Sequence, residues 1–582
     1  MSVAHDGQTA ETDASVADDE TTLRERIAAN PRPALLWLFG VAVLLALELG
    51  RFAGGLRAAG EVTAMLIGGV AVGPAWVDGN VAGTLGPLAG DIAFVLTAAV
   101  LLLLVAVPVK ALLVPVSLVR TLGLQRSSET DDLLERVLVA AGLGVFAVLV
   151  VATPVGALVD GLVAALSGAL DSLSSLPTIT SREIIPNQGH RLPEGGWDDT
   201  FLGLSPAVAW AIRVAVVYAY AFTALAWAWV GYQIFREHYR EADWTPRDDS
   251  VNRFRNHYWG ILGLVIVFSF VVMAVWAPAL GPTTAEENLF SPYENEFEYL
   301  DGDEVVTVSH GTANLDSRSQ GGDATVGPMS YDNYNRWAPF GTNQDGKDLF
   351  TFLVFGARTS LVISLTAIGL ATSIALGMSL ITAYYKGVID VLTVITSDTI
   401  ISVPAFLMVL LLSVVFQEAN HPIAAVYDGG LLLALIFAFV YWPGLWRSIR
   451  GPSLQVAEQE WVDAAKSYGQ SPFQTMRKHM TPYIAGYIMI YASLLLGGII
   501  IATAALSFLG LGVNPPTPEW GRMVSEGRSY ISTQSWHIAT IPGVFIVFVV
   551  MGFNALGDGI RDAIDPESDV GSGDAATTGG GA

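Results

Sequence analysis

Long apolar runs separated by shorter polar ones dominate this chain. A helix that crosses a bilayer needs ~20 mostly apolar residues. After about residue 250, six stretches meet that requirement: 258–280, 357–384, 391–416, 430–447, 484–508 and 537–556. Earlier in the chain, 34–50, 92–118, 134–158 and 208–234 meet it as well. A fifth early segment, 62–77, is short and interrupted by Gly68 and Gly69, which suits a half-span or an interfacial helix as well as a full one. Residues 1–33 begin with a polar, acidic run (Asp6, Glu11, Asp13, Asp18, Asp19, Glu20) that reads as a disordered tail rather than a basic leader. Residues 567–582 read as a Gly/Ser-rich tail. The pattern predicts an all-α polytopic protein of the cell membrane.

Composition supports this reading. Of 582 residues, 52% are hydrophobic and 14% charged, and the mean hydropathy is +0.49; soluble chains carry ~25% charge. The 30 basic and 54 acidic residues give a net charge of −24, which opposes nucleic-acid binding. The acidic excess fits a haloarchaeal type of halophile with a salty cytoplasm, and solvated acidic loops account for it equally. With no cysteine, disulfides, thiolate zinc sites and thiol catalysis are excluded.

Lys and Arg near span ends set orientation. Residues 235–256 carry Arg236, Arg240, Arg247, Arg253 and Arg255, and residues 447–482 carry Arg447, Arg450, Lys466, Arg477 and Lys478. Both are expected to be cytoplasmic. Four spans lie between them, so Thr284–Asp332, acidic apart from Arg318, falls outside. In the N-terminal part, four spans with a partly inserted 62–77 segment place Met1 inside.

Few residues suggest chemistry. Gly341 to Lys347 fits the spacing of a phosphate loop, but Asp348 stands where Ser or Thr must bind Mg²⁺, so a glycine-rich turn is expected instead. The eight histidines form no ligand pair, and no nucleophile elbow or paired-carboxylate cleft stands out. Ionisable residues in apolar spans are suspects for ion pathways; Glu48, Lys110, Arg213 and Asp398 are the candidates, all near enough to span ends to reach headgroups.

The informative stretch lies between two spans. Residues 456–468 are rich in helix formers. Gly469 follows, at a position suited to positive φ. Ser471, Pro472 and Gln474 then read as N-cap, N1 and N3 of a second helix with a capping box. That helix is expected to end at Pro482. The result is a helix–glycine–helix elbow tethered to the membrane at both ends.

Asp463-Ala464-Ala465, Gly469 and His479-Met480-Thr481-Pro482 resemble the EAA loop of ABC-importer permeases, with Asp463, His479 and Thr481 as departures from its Glu, Ile and Leu. Flanking stretches narrow the resemblance to the C-type subunit of the dipeptide/oligopeptide/nickel family. Ala338 to Asp348, with Gly341, Thr342, Gly346 and Asp348, resembles its HPLGTDxxGRD segment. Ala504 to Gly521, with Leu509, Gly510, Gly512, Trp520 and Gly521, resembles AALSFLGLG…PPTPSWG, and Asn554 to Asp562, with Gly557 and Asp558, resembles NLLGDGLRD.

The resemblance covers 250–566 and implies a six-helix type I ABC-importer permease core. Its external acidic loop would be 284–332 and its cytoplasmic coupling loop 447–482, with Asp463, Ala464, Ala465, Tyr468, Gly469, Ser471 and Pro482 as coupling positions. It further implies a B-type permease partner, two ATP-binding subunits that hold ATP and Mg²⁺, an extracytoplasmic solute-binding protein, and peptides or similar small solutes as cargo. This chain itself would bind no cofactor or metal and would not be an enzyme. Residues 1–249 match nothing in that family and are expected to be an accessory module, with about four spans in 34–249, dispensable for the transport cycle. The rival readings are an exporter permease, a proton-coupled carrier, and a single-chain channel or receptor.

Overall fold

The computed structural model describes residues 22–60, a few positions between 90 and 102, and 128–564 apart from 153, 154, 243 and 420. The expected segments 62–77 and most of 92–118, with Lys110, lie outside the described residues. In chain order the N-terminal helices are α1 (Leu23–Ala29), α2 (Pro31–Leu47), α3 (Ser128–Ala152), α4 (Val155–Ser174) and α5 (Pro206–His238). Next come α6 (Pro246–Asn256), α7 (Tyr258–Val275) and the short α8 (Ala277–Leu280). A hairpin, β1 (Glu296–Asp301) and β2 (Glu304–Ser309), leads to α9 (His310–Asp316) and a two-residue ladder, β3 (Ser330–Tyr331) with β4 (Trp337–Ala338). The remaining helices are α10 (Leu349–Tyr385), α11 (Gly387–Ser402), α12 (Ala405–Glu418), α13 (Gly430–Ala457), α14 (Glu460–Ser467), α15 (Pro472–Phe508), α16 (Trp520–Gly527) and α17 (His537–Ile564).

Among the described residues, seven helices are long and apolar enough to cross a membrane, or nine if each of two bent pairs counts as one span. The six spans expected after residue 250 correspond to α7, α10, the bent pair α11–α12, α13, α15 and α17. Three expected boundaries change. The span expected at 391–416 is broken, with α11 and α12 meeting at 83°. Pro404 is the reason: it lacks an N–H and drives Val403 to extended backbone (φ −87°, ψ 129°). α10 starts at Leu349 rather than 357, because Asp348 caps it and its first two turns are covered by protein. α13 continues ten residues past 447 to Ala457, through Pro452, so the polar loop is shorter than expected. Further upstream, the apolar run expected as 134–158 is divided between α3 and α4, and Gly156–Ser174 itself qualifies as a span.

The described chain separates into two compact units, and the division is not at residue 249. The smaller contains the chain up to Leu47 together with Tyr220–Thr245. Within it, Trp37 and Trp227 each donate an indole N–H to the other's carbonyl at 3.1 Å, and the Tyr239 hydroxyl donates to Asn30 O at 2.7 Å.

The larger unit holds Glu48–Ala219 and everything from Pro246 onward. In its core α10 packs along α13, and α7 along α17. Part of the N-terminal region belongs to this unit and is clasped onto α8. Arg213, fully buried, donates to Ala279 O at 2.6 Å, Ile185 O at 2.8 Å and Gly281 O at 2.9 Å. Arg182 reaches Pro278 O, Gly281 O and Pro282 O, and Trp210 donates to Leu280 O at 2.8 Å. Apart from that of Ile185, these carbonyls lie at the C-terminal end of α8, where unpaired acceptors and a negative partial charge favour cations. Glu48 is likewise buried and satisfied, accepting from Thr180, Arg51 and the Trp276 indole.

Candidate functional site

The elbow forms where the sequence predicts it. α14 buries Val462 and Ala465 and exposes Trp461, Asp463 and Ala464. Its end is a Schellman motif: Gly469 N donates to Lys466 O at 2.9 Å and Gln470 N to Ala465 O at 3.1 Å. Gly469 has φ +76°, the left-handed region this closure requires, and no atom lies within 4 Å of where a Cβ would sit. Tyr468, immediately before it, is 90% exposed. Ser471 is buried and accepts from Gln474 N at 3.4 Å as the N-cap of the next helix.

Pro482 does not end that helix. The helical run continues from Pro472 to Phe508, with Met476–Met480 in a widened π-type turn whose carbonyl at Met476 accepts from Thr481 N. The extra residue in this turn makes room for the proline ring, which an α-helical turn would not. The second arm of the elbow is therefore continuous with α15.

Two contacts fix the elbow to the rest of the bundle. The Trp461 ring stacks on Tyr483 at 5.2 Å, and the Lys466 ammonium sits 5.1 Å from the ring centre of Tyr384, in the last turn of α10. Lys466 also pairs with Asp463 at 3.2 Å. Both side chains are solvated, so that pair adds little stability.

The other resembling positions gather at the opposite end of α10, which is about 55 Å long. Gly341–Asp348 is a tight turn, as expected. Asn343 N donates to Lys347 O at 2.9 Å, and Asp348 accepts from Thr351 N at 2.6 Å to cap α10. Burial pushes the Asp348 carboxyl up to about 6. Gly346, at φ +77°, packs directly on the Asn314 carbonyl. Gly341 lies beside Val326 O and His537, while Thr342 donates to Ser317 O at 2.6 Å and accepts at its carbonyl from His537 Nε2 at 2.9 Å.

The second signature closes over the same region. Trp520 is fully buried, donates to Leu353 O at 2.8 Å and meets Phe270 edge-on. Gly521 touches the Ala504 carbonyl, Gly512 touches Ser507, and Leu509 and Gly510 form the end of α15. In α17, Gly557 packs against Leu494 and Asp558 is exposed. The positions from Gly341 to Asp348 and from Leu509 to Gly521 build the frame at one end of the bundle and the elbow positions lie at the other, while Gly557 and Asp558 sit about 20 residues along α17 from His537.

Of the suspected ion-pathway residues, Glu48, Arg213 and Asp398 have partners in the fold, and Lys110 lies outside the described residues. Glu48 and Arg213 are held as described above, and Asp398 pairs with Arg447. One charged residue was missed. Arg358 lies in the third turn of α10 and lines a cavity of about 320 Å³ with Phe355, Val362, Tyr427, Leu431 and Pro518. Among the described residues it has no ion-pair or hydrogen-bond partner. A guanidinium in an apolar helix faces a wet cavity or a partner subunit. Its signal in the sequence was a lone Arg within the apolar run 349–384, hidden because the span was started one residue before it.

Residues 373–569 match the protein family described as binding-protein-dependent transport system inner membrane component. The chain is 31% identical over 324 residues to the dipeptide transport system permease protein DppC of Alkalihalophilus pseudofirmus, covering 56% of this chain and 90% of that one. It is 29% identical, over the same length and 91% of the relative, to the glutathione transport system permease protein GsiD of Escherichia coli. The chain belongs to the inner-membrane permease components of binding-protein-dependent ABC importers, as a non-catalytic, multi-pass subunit.

Proposed function

We propose that this permease carries peptides or similar small solutes inward as one half of a heterodimeric pathway completed by a B-type permease. Two ATP-binding subunits hold ATP and Mg²⁺ and grip the elbow through Asp463, Ala464, Ala465, Tyr468 and Gly469, with Ser471 and Pro482 transmitting movement into α15. An extracytoplasmic solute-binding protein delivers the cargo, and residues 34–249 are an accessory module. The observation that carries the reading is the exposed elbow: Tyr468 and Asp463 face solvent while Trp461 and Lys466 tie the same helix to α15 and α10. Dipeptides as cargo are supported by a relative's name and by Arg358, a guanidinium lining a largely apolar cavity where a solute carboxylate would pair with it. A proton-coupled carrier is disfavoured because Glu48, Arg213 and Asp398 are each paired structurally.

The test is uptake of labelled dipeptide by proteoliposomes holding the co-purified complex. Uptake that requires both ATP inside and the binding protein outside supports the proposal; uptake driven by a proton gradient alone, or outward movement, overturns it. Orientation is checked in the same cysteine-free background. Asp303→Cys in the exposed hairpin should label with an impermeant thiol reagent on intact cells, and Tyr468→Cys should not.

A further inference from the structure

Beyond the transport site, a cavity of about 290 Å³ lies beside the β1–β2 hairpin and is lined by residues from two parts of the larger unit. One wall comes from 187–206, the other from the permease core, including Glu287, Glu296, Glu298 and His310. At its edge the ligand atoms of His190, Asp199 and Glu298 all lie within 4.8 Å of one another.

The local structure aims these groups. His190 is buried on a turn closed by the Arg191–Trp197 bridge and by Asp198 N donating to His190 O at 3.0 Å. Asp199 sits at φ +56°, a left-handed conformation unusual for a residue with a side chain. Glu298 stands in the middle of β1, opposite Thr307. His190 Nδ1 is 3.6 Å from Glu298 Oε2. That is long for a hydrogen bond. It is close to the roughly 3.4 Å between two ligands of a tetrahedral ion with bonds of about 2.1 Å.

A second observation is independent of the three ligands. Asn187 is 96% buried and lines the same cavity. Its Nδ2 donates to Pro282 O at 3.1 Å, yet its Oδ1 has no partner. An orphaned acceptor in such a place is costly, and a water bound to a cation would supply the missing donor. The carboxylates of Glu287 and Glu296 on the cavity wall also favour a positive occupant.

We propose that His190, Asp199 and Glu298 bind a divalent transition-metal ion, of the Zn²⁺ or Mn²⁺ class, that fastens the 187–206 segment to the permease hairpin. One imidazole and two carboxylates form a mixed N/O set that suits these ions better than Ca²⁺ or Mg²⁺, which take all-oxygen sites, and better than Cu⁺, which takes sulfur. The remaining coordination positions hold water, one molecule of which bonds to Asn187 Oδ1. The ion's role is structural, because the site lies apart from the elbow and from the Arg358 cavity.

The experiment uses the full-length chain in its purified complex, stripped with a chelator and dialysed against micromolar Zn²⁺. Metal is measured by elemental analysis, and Co²⁺ substitution gives a visible spectrum. One equivalent per permease chain is expected, with affinity reduced by roughly tenfold or more in both His190→Gln and Glu298→Gln. Glu298→Gln is the deciding variant, because Glu298 is exposed on the hairpin and its amide leaves the fold intact. Wild-type affinity in Glu298→Gln, or no stoichiometric uptake by the wild type, overturns the proposal.

Discussion

Trp461 on the exposed elbow lies nearly parallel to Tyr483, three residues beyond the π-type turn of α15, with ring centres 5.2 Å apart and planes 29° from parallel. This stack joins the surface that an ATP-binding subunit would touch to the helix that would move. An aromatic pair of this kind is worth about 0.5–1.5 kcal/mol, enough to shift the elbow's angle without unfolding a chain of this size.

Trp461→Ala and Tyr483→Ala should therefore each lower solute-stimulated ATP hydrolysis several-fold at unchanged membrane abundance. The double variant should be no worse than the poorer single one, since both remove the same contact. Additive losses in a double-mutant cycle would mean the rings act separately.

Gly469→Val should abolish stimulation while leaving the spans folded. The position is open, so the whole cost is conformational: φ +76° is strained for a β-branched residue by on the order of 1–3 kcal/mol. Gly469→Asn is the matched control, because Asn tolerates the left-handed region and should retain most activity. Asp463→Ala should be milder than Gly469→Val, as its pair with Lys466 is solvated. ATPase stimulation together with retention of the ATP-binding subunits on purification distinguishes these outcomes.

Arg213→Leu should loosen the clasp on α8. It removes donors to three buried carbonyls, and charged hydrogen bonds are worth about 1.5–3 kcal/mol each. The expected readouts are a lower thermal inactivation temperature and faster proteolysis within 182–205. Arg213→Lys should restore only part of the loss, since an ammonium cannot reproduce the guanidinium fork. Unchanged proteolysis in Arg213→Leu would show that the clasp does not hold that segment.

The pH prediction concerns Asp348. Its carboxyl in the folded protein is pushed up to about 6 from the ordinary 3.8, first by burial, against the hydrogen bonds from Thr351 that favour its charge. The folded state thus holds this proton more tightly than the unfolded state. The resulting stability is complete below about pH 3.8 and is lost as pH rises through about 6. Asp348→Asn keeps an N-cap of equal quality without the titration. Relative to wild type, the variant should gain stability between about pH 4 and pH 7, by on the order of 3 kcal/mol at most. Thermal denaturation of both proteins across that range measures the difference, and parallel curves would refute the assignment.

Much of the functional surface could be read directly from the chain. The elbow depends on local rules: helix formers over 456–468, a glycine where left-handed backbone is needed, and Ser471 before a proline. Each is decided within a few residues, so sequence alone was sufficient. Span existence was legible for the same reason, because apolar length is a property of one segment.

Other features depended on distant neighbours. Pro482 looked like a stop, and only the π-type turn before it shows how the helix passes through. Arg213, Glu48 and Asp398 looked like ion-pathway residues until their partners at 279–281, 180 and 447 were seen. Arg358 passed as a span boundary until α10 was found to start at Leu349. The physical reason is common to all of these. Hydropathy and capping are local and can be read along the chain, whereas the energy of a buried charge depends on what the fold brings against it. For this protein the sequence by itself determined the existence of six spans after residue 250, the elbow and the family; the tertiary structure decided which charges hold the fold together and which remain available to a solute, a metal ion or a partner.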